Sequence, residues 1–196
     1  MPREAAPSGA ASRDRGVVMA EESLERRIAR LEARAEIAEL LARYAFLLDD
    51  HEFDALGELF APDARFGSPG STHAGRDAII ANYRALGELY PITLHEARGF
   101  VLEFLDDDHA RGEVLGFSEQ ASGQRTVITS FRYADEYVRL DGRWRFASRQ
   151  VRTLYAMTHA ELASGGLAWE LRKRWPHRAP APAELPAYLR AGRNDT

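Results

Sequence analysis

The residues of this chain best suited to proton transfer are histidines and carboxylates, because it has six histidines and no cysteine. The lack of cysteine excludes disulfides, thiolate zinc sites, iron–sulfur clusters and a thiolate nucleophile. Imidazole suits acid–base chemistry near neutral pH, since its unperturbed pKa is about 6.5. Five of the six histidines fall in predicted loops or at the ends of predicted elements, where we expect surface positions, namely His51, His73, His109, His159 and His177.

His95 is the histidine placed within a predicted strand. Alternation along the strand puts Thr93, Ala97 and Val101 on its face, and small neighbours leave room for a ligand. Spacing alone also allows His95 to be an ordinary core or surface residue, so both interpretations stay open at this point.

Asp49 closes a long predicted helix, where a carboxylate is unfavourable because the helix dipole is negative at that end. The position of Asp49 therefore needs another explanation, and either an ion pair or a catalytic role would provide one. Asp50 is adjacent and would take the same place if the helix register were shifted by one residue.

Neither a metal nor a cofactor is predicted. The run Asp-Asp-Asp-His at 106–109 falls between two strands, which indicates a solvated turn rather than a metal site. No His-x-x-x-His pair or carboxylate triad has convincing ligand spacing. No glycine-rich phosphate loop follows a strand.

Composition and charge narrow the classes of partner. The 196 residues suffice for one domain with a hydrophobic core. A net charge of −4 argues against nucleic acid as a partner, which requires a basic face. The chain has no apolar run long enough to span a bilayer and no secretory h-region, so a cytoplasmic protein without membrane contact is expected.

Residues 1–20 have the composition of a disordered tail, and translation could start at Met1 or Met19.

The elements that would position these residues are helices first and strands afterwards. Apolar residues at three- and four-residue steps predict a helix over 21–50, whose more apolar second half should enter the core. Further helices are predicted over 53–60, 76–89 and 159–174, and a short strand follows the first of them. The pattern of residues 92–155 predicts four strands, and the pair Asp141-Gly142 predicts a tight hairpin turn between the last two. This order predicts an α+β fold with a mainly antiparallel sheet.

The whole pattern resembles the SnoaL-like branch of the nuclear-transport-factor-2-like superfamily. The segments that carry the resemblance are RYAFLLDDHEFDALGELFAPDARF, GFVLEFLDDDHARG and DEYVRLDGRWRFASR. It implies a cone, in which a strongly curved sheet wraps around the long N-terminal helix with two further short helices. It implies a SnoaL-like domain over 21–158, followed by a C-terminal helix and Pro/Ala-rich tail over 159–196.

Within that superfamily the pattern is most similar to the group of scytalone dehydratase, bile-acid 7α-dehydratase and hexachlorocyclohexane dehydrochlorinase. Those enzymes use an Asp–His pair, and Asp49 and His95 stand at the matching places. Arg149 matches an arginine on the last strand, and Tyr44 matches a pocket tyrosine. A salt bridge from Arg149 to Glu136 or another strand neighbour, and a core position for Tyr44, are the alternatives. The second pocket aspartate of the bile-acid enzyme has no clear match. The resemblance implies that His95 is the base, Asp49 orients it, and Arg149 holds a leaving group or oxyanion.

The expected function is a cofactor-independent lyase, a dehydratase or dehydrohalogenase, acting on a hydrophobic cyclic small molecule. Isomerase or cyclase action with the same base is an alternative, as is a non-catalytic ligand-binding or assembly module with this fold. A homo-oligomer is expected because the convex face of the sheet needs cover and the C-terminal segment is long, and the resemblance to trimeric dehydratases favours a trimer over a dimer. Tyr44, Phe117, Phe131 and Tyr133 are predicted to bind the substrate, and Phe60, Phe66 and Tyr83 are further candidates for the lining or the core.

Overall fold

A computed structural model describes residues 23–185. The predicted tail at 1–20 lies outside these residues, as do both candidate start positions and the last part of the C-terminal segment. In the described range the helices are α1 (Leu24–Asp49), α2 (Phe53–Gly57), α3 (Arg76–Leu89) and α4 (His159–Ala163). The strands are β1 (Phe60–Ser68), β2 (Ser71–Ala74), β3 (Ile92–Phe104), β4 (His109–Ser122), β5 (Arg125–Leu140) and β6 (Arg143–Met157). No described helix has the length and apolar character needed to cross a membrane.

Helix α1 is amphipathic along its second half only. Ser23 caps its start by accepting a hydrogen bond from the Arg26 N–H. Early apolar residues such as Leu24 and Leu31 are exposed, whereas a continuous stripe is buried from the middle of the helix onward. The second half therefore enters the core, as predicted, and carries Asp49 to the edge of the sheet. The buried stripe consists of Ala33, Ile37, Leu40, Leu41, Tyr44 and Leu48.

The six strands form one sheet in the order β2-β1-β6-β5-β4-β3. Pairing is antiparallel except between β1 and β6, which run parallel. The hairpin predicted at Asp141-Gly142 is confirmed, since both residues have positive φ, as a tight two-residue turn requires. Strand β2 has only four residues and no hydrophobic alternation that would predict a strand, and its antiparallel pairing with β1 defines it.

Register shifts at Ala97–Gly99, Ser130–Phe131 and Glu136–Tyr137 mark bulges in the long strands. Bulges bend a strand and increase its twist, and the sheet here is curved but not closed. Helix α1 packs against β3 and β6, and α3 packs against β1 and β2. The α+β fold class and the curved, mainly antiparallel sheet around a long helix are confirmed.

The helix predicted over 159–174 is much shorter in the structure. Helix α4 ends at Ala163, and Gly165 then takes a left-handed φ of 92° before a single 3₁₀ turn. The following residues are extended, and Lys173 forms isolated bridges with Ala156 and Ala181. The cause is the Ser-Gly-Gly sequence after α4, which has low helix propensity. Helix α2 likewise stops at Gly57, because strand β1 begins at Phe60.

Candidate active site

A cavity of about 230 Å³ opens between the end of α1, helix α3, the inner face of the sheet and the extended C-terminal segment. Aromatic rings cover much of its wall, which suits a compact ligand with an apolar ring, and histidines, hydroxyls and charged side chains line the remainder. Tyr44, Phe131 and Tyr133, all predicted to bind substrate, lie in this wall. Phe66 and Tyr83 join them there, whereas Phe60 is buried in the core.

Asp49 and His95 meet at the edge of this cavity. Asp49 Oδ1 lies 2.6 Å from His95 Nδ1, and its Oδ2 accepts the backbone N–H of His95 at 2.7 Å. Thr93 adds a third hydrogen bond through its hydroxyl, at 2.9 Å from Oδ1. The neighbouring Asp50 is exposed. The geometry therefore pairs His95 with Asp49 and not with Asp50.

The carboxylate of Asp49 is held in its ionised form. Partial burial raises its pKa, but the hydrogen bonds from His95 and Thr93 outweigh that effect and lower the pKa below its ordinary value. A carboxylate accepting from Nδ1–H leaves Nε2 of His95 as the nitrogen able to accept a proton. His95 lines the cavity, with its side chain 12% exposed. The pair can therefore act as an oriented base.

Arg149 is buried and forms an ion pair with a strand neighbour, as the alternative to a catalytic role predicted, but the partner is Asp135 and not Glu136. Its side chain is 1% exposed and makes two hydrogen bonds to Asp135, the residue directly opposite on β5, at 2.9 and 2.7 Å. Burial disfavours the charged form, but Asp135 more than compensates, so the pKa of Arg149 lies above its ordinary value. Its Nη1 is buried and has no hydrogen-bond partner among the described residues.

Arg149 does not line the cavity of about 230 Å³. Its guanidinium lies 4.2 Å from the ring centroid of Tyr44 and 3.9 Å from that of Tyr133, and these two rings do line it. Arg149 shares only a space of about 10 Å³ with His95, Phe131 and the same tyrosines. The arginine therefore lies behind the two aromatic rings, in cation–π contact with both.

Three tyrosine hydroxyls form a cluster in the cavity wall. The hydroxyl of Tyr44 lies 2.7 Å from that of Tyr83 and 3.5 Å from that of Tyr133. Burial, with the neighbouring hydroxyls, raises the pKa of Tyr83 and of Tyr133 well above the ordinary value. These groups stay neutral and can donate hydrogen bonds to a ligand oxygen.

Phe117 is the predicted substrate-binding residue that the structure places elsewhere. Strand β4 buries Val114, Gly116 and Ser118, so Phe117 projects from the other face, where Arg98 stacks on its ring at 4.0 Å. The cavity wall does not include it. The aromatic type pointed to a lining role, but the alternation of the strand decides the side.

Three of the histidines expected at the surface contribute to the cavity wall, namely His51, His73 and His177. His51 and His177 lie in turns, and His73 lies in the short strand β2, which has no hydrophobic alternation, so no sequence period could predict which way these side chains face. His177 bonds the hydroxyl of Tyr90 through Nδ1 at 2.9 Å. Burial and nearby Arg178 lower its pKa.

Sequence reasoning also missed Thr93 as a partner of Asp49, Asp135 as the counter-ion of Arg149, and Tyr83 as a member of the hydroxyl cluster. Thr93 had a signal, because it shares a strand face with His95 two residues away. For Arg149, the sequence indicated a salt bridge to a strand neighbour as an alternative, but the choice of Asp135 over Glu136 depends on a register set by bulges. Between residues 23 and 185 no group of three metal-binding side chains occurs.

Comparison with known proteins agrees with this fold. A sequence profile described as the SnoaL-like domain matches residues 29–150. A gamma-hexachlorocyclohexane dehydrochlorinase of Sphingobium indicum is 28% identical over 131 residues, covering 64% of this chain and 83% of the relative. A scytalone-dehydratase-like structure from Novosphingobium aromaticivorans superposes with a TM-score of 0.66 at 21% identity, covering 80% of this chain and 96% of that one. A type 2 hexachlorocyclohexane dehydrochlorinase gives 0.64 at 21% identity, covering 78% and 99%.

Proposed function

The chain belongs to the SnoaL-like domain family, and from its cavity we propose that it is a cofactor-independent lyase. The proposed reaction is elimination of water or halide from a hydrophobic cyclic small molecule. The observation that carries the proposal is the hydrogen bond of 2.6 Å between Asp49 and Nδ1 of His95 at an apolar cavity. An imidazole fixed in this way is an oriented base with its second nitrogen free.

In the proposed reaction, Nε2 of His95 removes a proton from a ring carbon of the substrate. The electron pair of that C–H bond forms the new double bond, and the neighbouring carbon–oxygen or carbon–halogen bond breaks. The leaving group departs with the electrons of that bond. Asp49 stabilises the imidazolium that forms and keeps its ring in place.

Negative charge that builds on a substrate oxygen needs stabilisation in the same step. The Tyr44 and Tyr133 hydroxyls would donate hydrogen bonds to it, and the Arg149 cation behind their rings would favour the charge. Arg149 thus has an indirect part in this proposal, because Asp135 already binds two of its nitrogens.

Two kinds of support favour elimination over other uses of the cavity. The curated relatives include enzymes named for loss of hydrogen chloride, and a fold neighbour is named for loss of water. The aromatic rings of the wall, including Phe66 and Phe131, give an apolar ring system a surface to pack against, and the polar groups between them can bind its oxygen or halogen substituents.

The proposal is tested with two compounds that differ in leaving group, namely scytalone and gamma-hexachlorocyclohexane. We expect the full chain to convert at least one of them, with product identified by mass spectrometry. His95→Ala should lower kcat by about 100-fold or more, as removal of a general base does. His159→Ala is the matched control, since that side chain is 70% exposed, and it should keep wild-type turnover.

Two outcomes would overturn the proposal. The first is conversion that survives unchanged in His95→Ala. The second is binding of both compounds in the cavity, seen as chemical-shift changes of its residues, with no product from either. The second outcome would favour a ligand-binding module.

A further inference from the structure

The backbone at His51 takes a conformation that glycine normally occupies. His51 follows the last residues of α1 with a φ of 58°. Its N–H donates to the carbonyl of Leu48, and the N–H of Glu52 donates to the carbonyl of Leu47. This is the Schellman arrangement, whose left-handed position is usually glycine or asparagine. A histidine there carries a conformational cost that a glycine would avoid.

The surrounding residues hold the His51 ring in a defined place. The ring stacks on Phe53 with centroids 5.2 Å apart and planes 25° apart. Helix α3 presents Gly87 to this pair, and a Cβ at Gly87 would lie 2.8 Å from the Phe53 ring and 3.4 Å from His51. Glycine inside a helix is itself unfavourable. Two locally costly residues thus combine to seat one imidazole in the cavity wall.

The imidazole of His51 is free to bind a ligand, because within residues 23–185 neither of its ring nitrogens has a hydrogen-bond partner. His73 shares that lack, but it lies in regular strand β2, where its backbone carries no such cost. Several other titratable side chains of the wall are already bound, as the hydrogen bonds Tyr44–Tyr83, His95–Asp49, Tyr90–His177 and Lys173–Glu184 show. Thr129 also lines the cavity, and its hydroxyl has no partner in the described part of the chain, but an aliphatic hydroxyl is too weak an acid to protonate a leaving group.

We propose that His51 is a catalytic residue of this site, contacting the substrate and giving a proton to the oxygen that leaves. The inference rests on the proposed elimination and adds the acid that complements its base. His95 on β3 takes the proton from carbon, and the C–H electron pair becomes the double bond. The carbon–oxygen bond breaks, and protonated His51 at the end of α1 gives its proton to that oxygen. Water leaves, His95 holds one proton more, His51 holds one fewer, and exchange with solvent restores both.

Two substrates with different leaving groups distinguish an acid from other roles of His51. Hydroxide needs a proton to depart readily, whereas chloride departs as a stable anion. His51→Asn, which tolerates the left-handed backbone, should therefore lower kcat for water loss from scytalone by about 100-fold. The same variant should lower chloride loss from gamma-hexachlorocyclohexane by less than about tenfold.

Measurements of Tm distinguish a catalytic role of His51 from a structural one. His51→Gly relieves the left-handed backbone, so its Tm should be unchanged or about 2–4 °C higher, although its activity falls like that of His51→Asn. Asp141→Gly is the matched control, because Asp141 is the other non-glycine residue with positive φ among those described, at 51°. It should gain stability in the same way and keep both rates within about twofold.

The inference fails if either His51 variant dehydrates scytalone at the wild-type rate while His95→Ala is inactive. It also fails if both reactions fall equally and the Tm of His51→Gly drops. If the wild-type protein does not dehydrate scytalone, histidine-ring NMR with added scytalone decides whether His51 contacts the ligand. Displacement of the His51 resonances supports contact, and unchanged His51 resonances overturn it, whatever becomes of the proposed function.

Discussion

Asp49 illustrates how a residue can look misplaced in sequence and have a clear reason in structure. A carboxylate at the end of a helix opposes the dipole, yet this one accepts three hydrogen bonds from β3, two of them from His95. The sequence indicated that some partner was needed and could not name it, since the partner lies 46 residues further along. The pairing with His95 was implied only by the resemblance to dehydratases.

The buried pair of Arg149 and Asp135 gives a prediction at the same scale. Asp135→Asn leaves an arginine that is 1% exposed without a negative partner. Removing one member of a buried ion pair costs about 3–5 kcal/mol, because the remaining charge stays desolvated. We expect a loss of that size in the free energy of unfolding, measured by urea denaturation.

The control for this loss is Glu103→Gln, whose partner Arg111 is as exposed as Glu103 itself, at 60% each. Exposed pairs contribute little, so this change should stay within about 0.5 kcal/mol of wild type. A loss for Asp135→Asn as small as that of the control would mean that Arg149 does not depend on Asp135 as its counter-ion.

Strand β3 shows where element-level prediction succeeds and where it stops. Alternation placed Thr93 and His95 together on the inner face, and both do contact Asp49. The same alternation put Val101 on that face, but it is 66% exposed. The bulge between Ala97 and Gly99 exchanges the two faces. A bulge of this kind leaves no clear trace in the hydrophobic pattern.

Strand β4 supplies the test of how tightly the cavity wall is packed. A Cβ at Gly116 would lie 2.0 Å from the ring of Phe131, so the ring must move. Gly116→Ala should therefore lower the free energy of unfolding by about 1–3 kcal/mol, as overpacking does.

Gly99→Ala on neighbouring β3 is the matched control for this change, because nothing lies within 4 Å of its Cβ. Urea denaturation should find it within about 0.5 kcal/mol of wild type. Equal changes in the free energy of unfolding at the two positions would mean that the Phe131 ring can move aside without loss of stability.

At the scale of the whole molecule, the fold could be predicted and the cavity could not. The order of helices and strands, the Asp141-Gly142 hairpin and the family pattern sufficed for the curved sheet around α1. Part of the cavity wall comes from Lys173, Trp175 and His177, which follow the point where the predicted C-terminal helix fails to form. Their placement depends on contacts made after the sheet exists, such as the Glu184 carboxylate accepting the backbone N–H of Thr153.

The trimer, the cytoplasmic location and the domain division at residue 158 stay predictions. Apolar side chains at Ile92, Leu94, Val101 and Leu115 are exposed on β3 and β4. These residues are the first place to look for a contact between copies of the chain.

The central claim is that the fold makes one catalytic unit from Asp49 and His95, and a double-mutant cycle on kcat tests it most directly. The substrate is whichever of scytalone and gamma-hexachlorocyclohexane the wild-type protein converts. We predict that His95→Ala and Asp49→Asn each lower kcat by about 100-fold or more, and that the double variant is little worse than either. Two losses that multiply in the double variant, or a kcat that survives Asp49→Asn, would contradict a single Asp49–His95 unit.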